Sequence, residues 1–284
     1  MGRLRWIAVA AIAFISVVLT STAALGAAKG EVVYKSTATP LPGNLPSVGA
    51  EAYSFAEFGD EVTSAHHRHH RVLRSVKVTL SSWGCQAGHW YSDDCVSAPD
   101  ATFSIPITLT IYRAASTEPS SDPVGVGAKL LSVTRTFQVP YRPSADPVNC
   151  TGGDAGKWFK PGQGCFNGLA TNITFTLHRH HRRLPRTVVF GIAYNTTHYG
   201  YDPIGESAPC FTVPGGCPYD SLNIALGPEV VVGSKPYPDT VFQNATAAEY
   251  CDNTPTPGVF NLDSPTDACW DGYVPAVQIR ASRR

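Results

Sequence analysis

Apolar residues recur at every second position in stretch after stretch of this chain, and that period constrains its fold more than any other feature. Val76, Val78 and Leu80 alternate with Lys77, Thr79 and Ser81, and Phe103, Ile105, Ile107, Leu109 and Ile111 alternate with Ser104, Thr108, Thr110 and Tyr112. The same stripe returns at Leu131, Val133, Phe137 and Val139, at Ile173, Phe175 and Leu177, and at Val188, Phe190, Ile192 and Tyr194. It recurs again at Leu222, Ile224 and Leu226, then at Val277 and Ile279. Successive strand residues point to opposite faces, so each stripe predicts a strand with one apolar face. Val, Ile, Thr and Phe dominate, as they do on pleated, half-buried surfaces. Clusters such as Ser120-Ser121-Asp122-Pro123 and Gly152-Gly153-Asp154 break the stripes into turns. Outside the first residues, only Val241 to Glu249 suits a short helix. Strand following strand without helices predicts an all-β chain: an antiparallel β-sandwich, jelly-roll-like. The off-stripe Thr and Ser predict that one sheet face is wet.

The N-terminus reads as an export leader. Arg3 and Arg5 precede an apolar run from Trp6 to Leu19, and small residues from Thr20 to Ala28 supply a cleavage site after Gly26 or Ala27. The run is shorter than the roughly 20 residues a membrane-spanning helix needs. The expectation is a signal peptide over residues 1–27 and one extracellular β-sandwich domain over residues 28–284, secreted and without a membrane anchor.

Eight cysteines fall beyond the leader, in four local couples: Cys85 and Cys95, Cys150 and Cys165, Cys210 and Cys217, Cys251 and Cys269. Each couple brackets a stretch rich in Gly, Asp or Pro, and short loops close at the least entropic cost. Four neighbour disulfides are therefore expected. No Cys pair has C-x-x-C spacing, and an oxidising compartment opposes a zinc site.

Composition narrows the function classes. Charged residues are only 15 % of the chain, with 22 basic and 22 acidic; losing Arg3 and Arg5 with the leader tips the balance slightly acidic. A nucleic-acid binder is normally clearly basic, so that class is set aside. Gly 25 and Pro 23 beside 43 % hydrophobic residues suit a turn-rich β protein that can still build a core.

Several segments carry a family likeness: Tyr53-Ser54-Phe55, Val78-Thr79-Leu80-Ser81-Ser82-Trp83-Gly84-Cys85 and Pro140-Tyr141-Arg142-Pro143-Ser144-Ala145-Asp146-Pro147, then Gly191-Ile192-Ala193-Tyr194-Asn195-Thr196, Tyr219-Asp220-Ser221-Leu222-Asn223 and Gly272-Tyr273-Val274-Pro275-Ala276-Val277. With them the chain resembles a group of secreted β-sandwich proteins from actinomycetes and related soil bacteria. The resemblance spans nearly the whole chain beyond the leader. It implies an exported β-sandwich and no particular activity. More loosely, the core is similar to sandwich modules appended to bacterial extracellular enzymes, many of which bind carbohydrate; that likeness concerns fold alone.

Two constellations are candidate sites. The first is the loop between Cys85 and Cys95, which holds His89, Trp90, Tyr91 and Asp93, with Trp83 just outside; Trp158 and Trp270 stand beside other Cys couples. Aromatic rings on rigid loops stack on sugar faces, and nearby carboxylates accept from hydroxyls or hold Ca²⁺. The competing reading is that the rings cap the sheets and bury themselves. The second is a repeated tract, His67-Arg68-His69-His70-Arg71 and His178-Arg179-His180-His181-Arg182. Neutral imidazoles would suit a transition metal, although the arginines repel one. Protonated, the tracts would grip an anionic polymer. As low-complexity turns they would do neither. In the group that the chain resembles these turns are short and polar, which separates the tracts from any shared function.

No His-Glu-x-x-His, Gly-x-Ser-x-Gly, phosphate loop or dinucleotide fingerprint is present. Two-carboxylate hydrolysis stays open, with Asp93, Glu206, Asp220 and Asp271 as candidates. The leading expectation is a secreted, non-catalytic protein that binds an extracellular glycan or anionic cell-surface polymer through its aromatic, disulfide-closed loops. A polysaccharide hydrolase and a structural envelope protein are the alternatives. No cofactor is expected beyond a Ca²⁺ that loop carboxylates would suit.

Overall fold

Every stripe read above becomes a strand. The computed structural model describes residues 30–49, 55–65, 71–88, 90, 93–115, 126–177, 183–194, 222–227, 229–237, 241–245, 260–263 and 274–282. Strands run in chain order as β1 (Glu31–Lys35), β2 (Ser47–Gly49), β3 (Phe55–Thr63), β4 (Arg71–Ser82), β5 (Thr102–Ala114), β6 (Val126–Pro140), β7 (Trp158–Lys160) and β8 (Gly164–Phe166). They continue as β9 (Leu169–Thr176), β10 (Arg183–Leu184), β11 (Thr187–Tyr194), β12 (Leu222–Gly227), β13 (Val241–Ala245), β14 (Asn261–Asp263), β15 (Val274–Pro275) and β16 (Val277–Ser282). All pairing between them is antiparallel.

One sheet has the order β1-β16-β4-β12-β15, with β9 and β10 also on β4 and β2 on β12. A second has the order β14-β13-β3-β11-β5-β6, and β7 and β8 form a separate hairpin. The two large sheets share one hydrophobic cluster, in which Val76, Val78, Leu80, Phe175 and Ile279 of the first meet Phe58, Ile107, Leu109, Ile111 and Phe190 of the second. A bulge at Arg74 shifts the alternation of β4: Ala281 pairs with Leu73 and Arg280 with Ser75, so Leu73 and Val76 both turn inward.

Two expectations need adjustment, and a third is met as far as the described residues reach. Residues 241–245, assigned to the one short helix, form β13 and pair with β3, because a strand edge satisfies their backbone better than a lone helical turn. The wet face holds only in part: Thr108 and Thr134 share an exposed hydrogen bond, yet Thr79 and Ser81 are fully buried. Their hydroxyls bond Asn172 and Asn44, which is how polar residues survive in a dry place. Of the four expected disulfides, Cys85–Cys95 and Cys150–Cys165 are formed; Cys210, Cys217, Cys251 and Cys269 lie outside the described residues, as does the leader. Two disulfides fit an oxidising environment, and among the described residues no helix is long and apolar enough to cross a membrane.

Candidate functional site at the disulfide loops

The two disulfide loops meet at one place because a single segment, residues 140–147, bonds to both. Ala145 N–H donates to Cys95 O and Asp146 N–H to Lys157 O, at 3.0 and 2.9 Å. Within the first loop, Ala87 and Val96 pair as an isolated bridge. Gly88 and Asp93 take left-handed backbone at φ 73° and 60°, which turns the chain back toward Cys95. In the second loop Gly156 is also left-handed, at φ 80°, and a side chain there would collide with the Asp93 carboxylate. The absent Cβ lets one loop rest on the other.

Arg142 fastens this junction. Its side chain is fully buried. Nη2 donates to Gly156 O at 2.6 Å, Nη1 to Trp90 O and Nε to Pro143 O, both at 3.3 Å. One planar guanidinium thus reaches both disulfide loops and its own segment, which a lysine's point charge could not do. Burial pulls its pKa down to about 10.

Beside Arg142 lies a cavity of about 610 Å³, walled by Tyr141, Trp158, Phe159 and the rings of Pro99, Pro140, Pro143 and Pro147. Asp100, Ser144 and Asp146 add polar atoms. That volume is ordinary for a small-molecule site, and the lining mixes apolar rings with polar side chains. The Ser144 hydroxyl is tied to Ser97 N–H and O, and the exposed Asp146 carboxylate accepts from Val148 N–H and from the Asn149 backbone and side chain. The Asn149 bonds hold the Asp146 carboxyl below its usual range. The walls are therefore fixed before any ligand arrives.

The sequence-predicted aromatics divide here. Trp158 is buried, 6 % exposed, donates to Gly168 O at 2.7 Å and packs at a tilt on Phe166. Trp83 and Trp90 are half-buried and meet edge to face with centroids 4.7 Å apart; Trp83 donates to the Ser81 hydroxyl. Asp93 is exposed. These rings brace the loops, and Trp158 alone of the three tryptophans lines the cavity. His89, Tyr91 and Trp270 lie outside the described residues, as do His67, His69, His70, His178, His180 and His181 and the carboxylates Glu206, Asp220 and Asp271. Among the described residues no group of three His, Cys, Asp or Glu could hold a metal ion.

Sequence reasoning passed over Arg142 as a site residue, although a lone cation between prolines in an apolar segment was a usable signal. It also passed over the acids of β3. Glu57 and Glu61 are buried on the sheet face opposite the core, 9 % and 7 % exposed, with Gly59 between them. Burial, then the charge of Asp60, pushes the Glu61 carboxyl up to about 7; burial also raises Glu57. Comparisons with protein-family models, with curated proteins and with solved structures find no match.

Proposed function

We propose that the chain is a secreted, non-catalytic β-sandwich, jelly-roll-like, that binds an extracellular glycan at its disulfide-loop end. The cavity of about 610 Å³ between the two braced loops carries this reading. Its aromatic and proline walls suit the apolar faces of a sugar ring, and Asp100 at its edge suits hydroxyl donors.

Retention on insoluble cell wall, chitin, cellulose and xylan tests the proposal. Binding to one of them should fall at least tenfold in Phe159→Ala, with the melting temperature little changed, because Phe159 is only half-buried. Retention on none of the four, or retention indifferent to Phe159 and Tyr141, would remove the cavity from the account. The hydrolase reading has one observation in its favour, the raised carboxyls of Glu57 and Glu61 on one face of β3. It requires release of reducing sugar that disappears in Glu61→Gln.

A further inference from the structure

Asp60 stands between Phe58 and Val62 on the face that β3 turns to the core, and Lys235 meets it there. The carboxylate is 1 % exposed, the ammonium 5 %, and Nζ lies 2.8 Å from Oδ2. Backbone contacts to both sheets carry Lys235 into place. Lys35 of β1 donates to Val232 O at 2.9 Å, and Thr63 of β3 donates to Ser234 O at 2.8 Å. Between them Gly233, at φ +82°, has Thr63 O, Val33 O and the Tyr34 ring where a side chain would sit.

This contact differs from an ordinary ion pair in two respects. The 2.8 Å approach is not aligned as a hydrogen bond, and neither Nζ nor Oδ2 has another hydrogen-bond partner. A buried ammonium and a buried carboxylate oxygen whose one contact is poorly aligned are strongly unfavourable. The other oxygen is served: Asp60 Oδ1 accepts the Glu61 N–H at 2.8 Å. Burial pushes the Asp60 carboxyl up to about 6, with Lys235 partly opposing, so the neutral acid is within reach near neutral pH.

We propose that Asp60 and Lys235 condense into an intramolecular amide cross-link once the chain has folded. A proton passes from the ammonium to the carboxylate, leaving a free amine beside a carboxylic acid. The Nζ lone pair attacks Cγ and forms the C–N bond, while Oδ1, held by the Glu61 N–H, carries the developing negative charge. The proton that nitrogen sheds goes to the Oδ2 hydroxyl, the Cγ–Oδ2 bond breaks, and Oδ2 leaves as water. An ion pair enters and an amide and one water leave, with no change of oxidation state. The product removes two buried charges and ties the segment carrying Lys235 to β3 by a bond that no thiol opens.

Intact mass of the purified chain, reduced and alkylated, tests the proposal. The mass should be one water below that of its sequence, and fragmentation should yield a branched peptide joining the segments around Asp60 and Lys235. Missed tryptic cleavage after Lys235 does not count, since Pro236 blocks it in any case. Lys235→Met should restore the full mass. Asp60→Asn should shed ammonia instead of water and reach the same mass as the cross-linked native chain. A native chain of full mass overturns the proposal. So does a water loss that persists in Lys235→Met, as cyclisation at Asp271-Gly272 would give. Should Lys235→Met fail to fold, presence or absence of the branched peptide in the native chain decides.

Discussion

The Tyr112 hydroxyl donates to the Glu57 carboxylate, 2.9 Å to Oε2 and 3.2 Å to Oε1, although β11 runs between their strands. Gly191 makes the reach possible: a Cβ there would collide with Oε1. Burial, then the charge of Glu57, pushes the Tyr112 phenol up to about 12, so it remains a donor at any working pH. Tyr112→Phe should cost about 1–3 kcal/mol, because a buried carboxylate loses the stronger of its two side-chain donors, Thr110 being the other. Adding Glu57→Met should recover part of that loss, since no orphan then remains. Urea denaturation of the two single variants and the double variant measures the coupling; strict additivity would mean that the bond contributes nothing.

Arg142 should be the most sensitive position of the loop end. Arg142→Met leaves the carbonyls of Gly156, Trp90 and Pro143 without this donor, at about 1–3 kcal/mol for each that water cannot reach. Arg142→Lys should rescue little, because an ammonium cannot span the same three acceptors. Glycan retention should fall together with stability in both variants, in contrast to Phe159→Ala.

Opening the disulfides separately should give unequal losses. Cys150–Cys165 spans 15 residues and should contribute about 3 kcal/mol, Cys85–Cys95 spans 10 and somewhat less. Paired Cys→Ala variants in a denaturant titration check the order. Non-reducing peptide mapping should also find Cys210 joined to Cys217 and Cys251 to Cys269; a bridge crossing these couples would contradict the local pairing.

Stability should fall as pH rises from 5 to 8. Asp60 and Glu61 ionise near 6 and 7 when folded, each raised chiefly by burial, and near the ordinary value of about 4 when unfolded. Between those values the folded chain holds more protons, so their contribution is complete at low pH and is lost through the folded values. Glu61→Gln should flatten the decline and be the more stable form at pH 8. A urea midpoint that rises with pH across this window would contradict the assignment. An amide at Asp60 would abolish its titration and its charge, leaving Glu61 the shallower slope.

The stripes of β4, β5, β6, β9, β11, β12 and β16 were legible because period-two alternation survives wherever one face meets the core. β3 was not. Its sequence Phe-Ala-Glu-Phe-Gly-Asp-Glu-Val-Thr puts three acids and a glycine into a strand that is central to its sheet. What makes those acids tolerable comes from distant parts of the chain: Lys235 for Asp60, Tyr112 for Glu57. Local pattern carries no trace of such partners. The loop end was legible in its cysteines and rings but not in its centre. Its place as a lone cation among prolines could have marked Arg142, but its role appears only once three carbonyls from separate turns face it.

β1 and β16 are hydrogen-bonded neighbours, with Glu31 opposite Ala281. Antiparallel partners sit only about 5 Å apart, so the polypeptide enters and leaves this fold at nearly one point. Tension applied at both ends would open that ladder rung by rung, like a zip, instead of shearing all rungs together. The same proximity makes the fold easy to splice: a short linker could join the two ends and new ones be cut elsewhere. It could equally sit inside a larger protein without pushing the flanking parts apart.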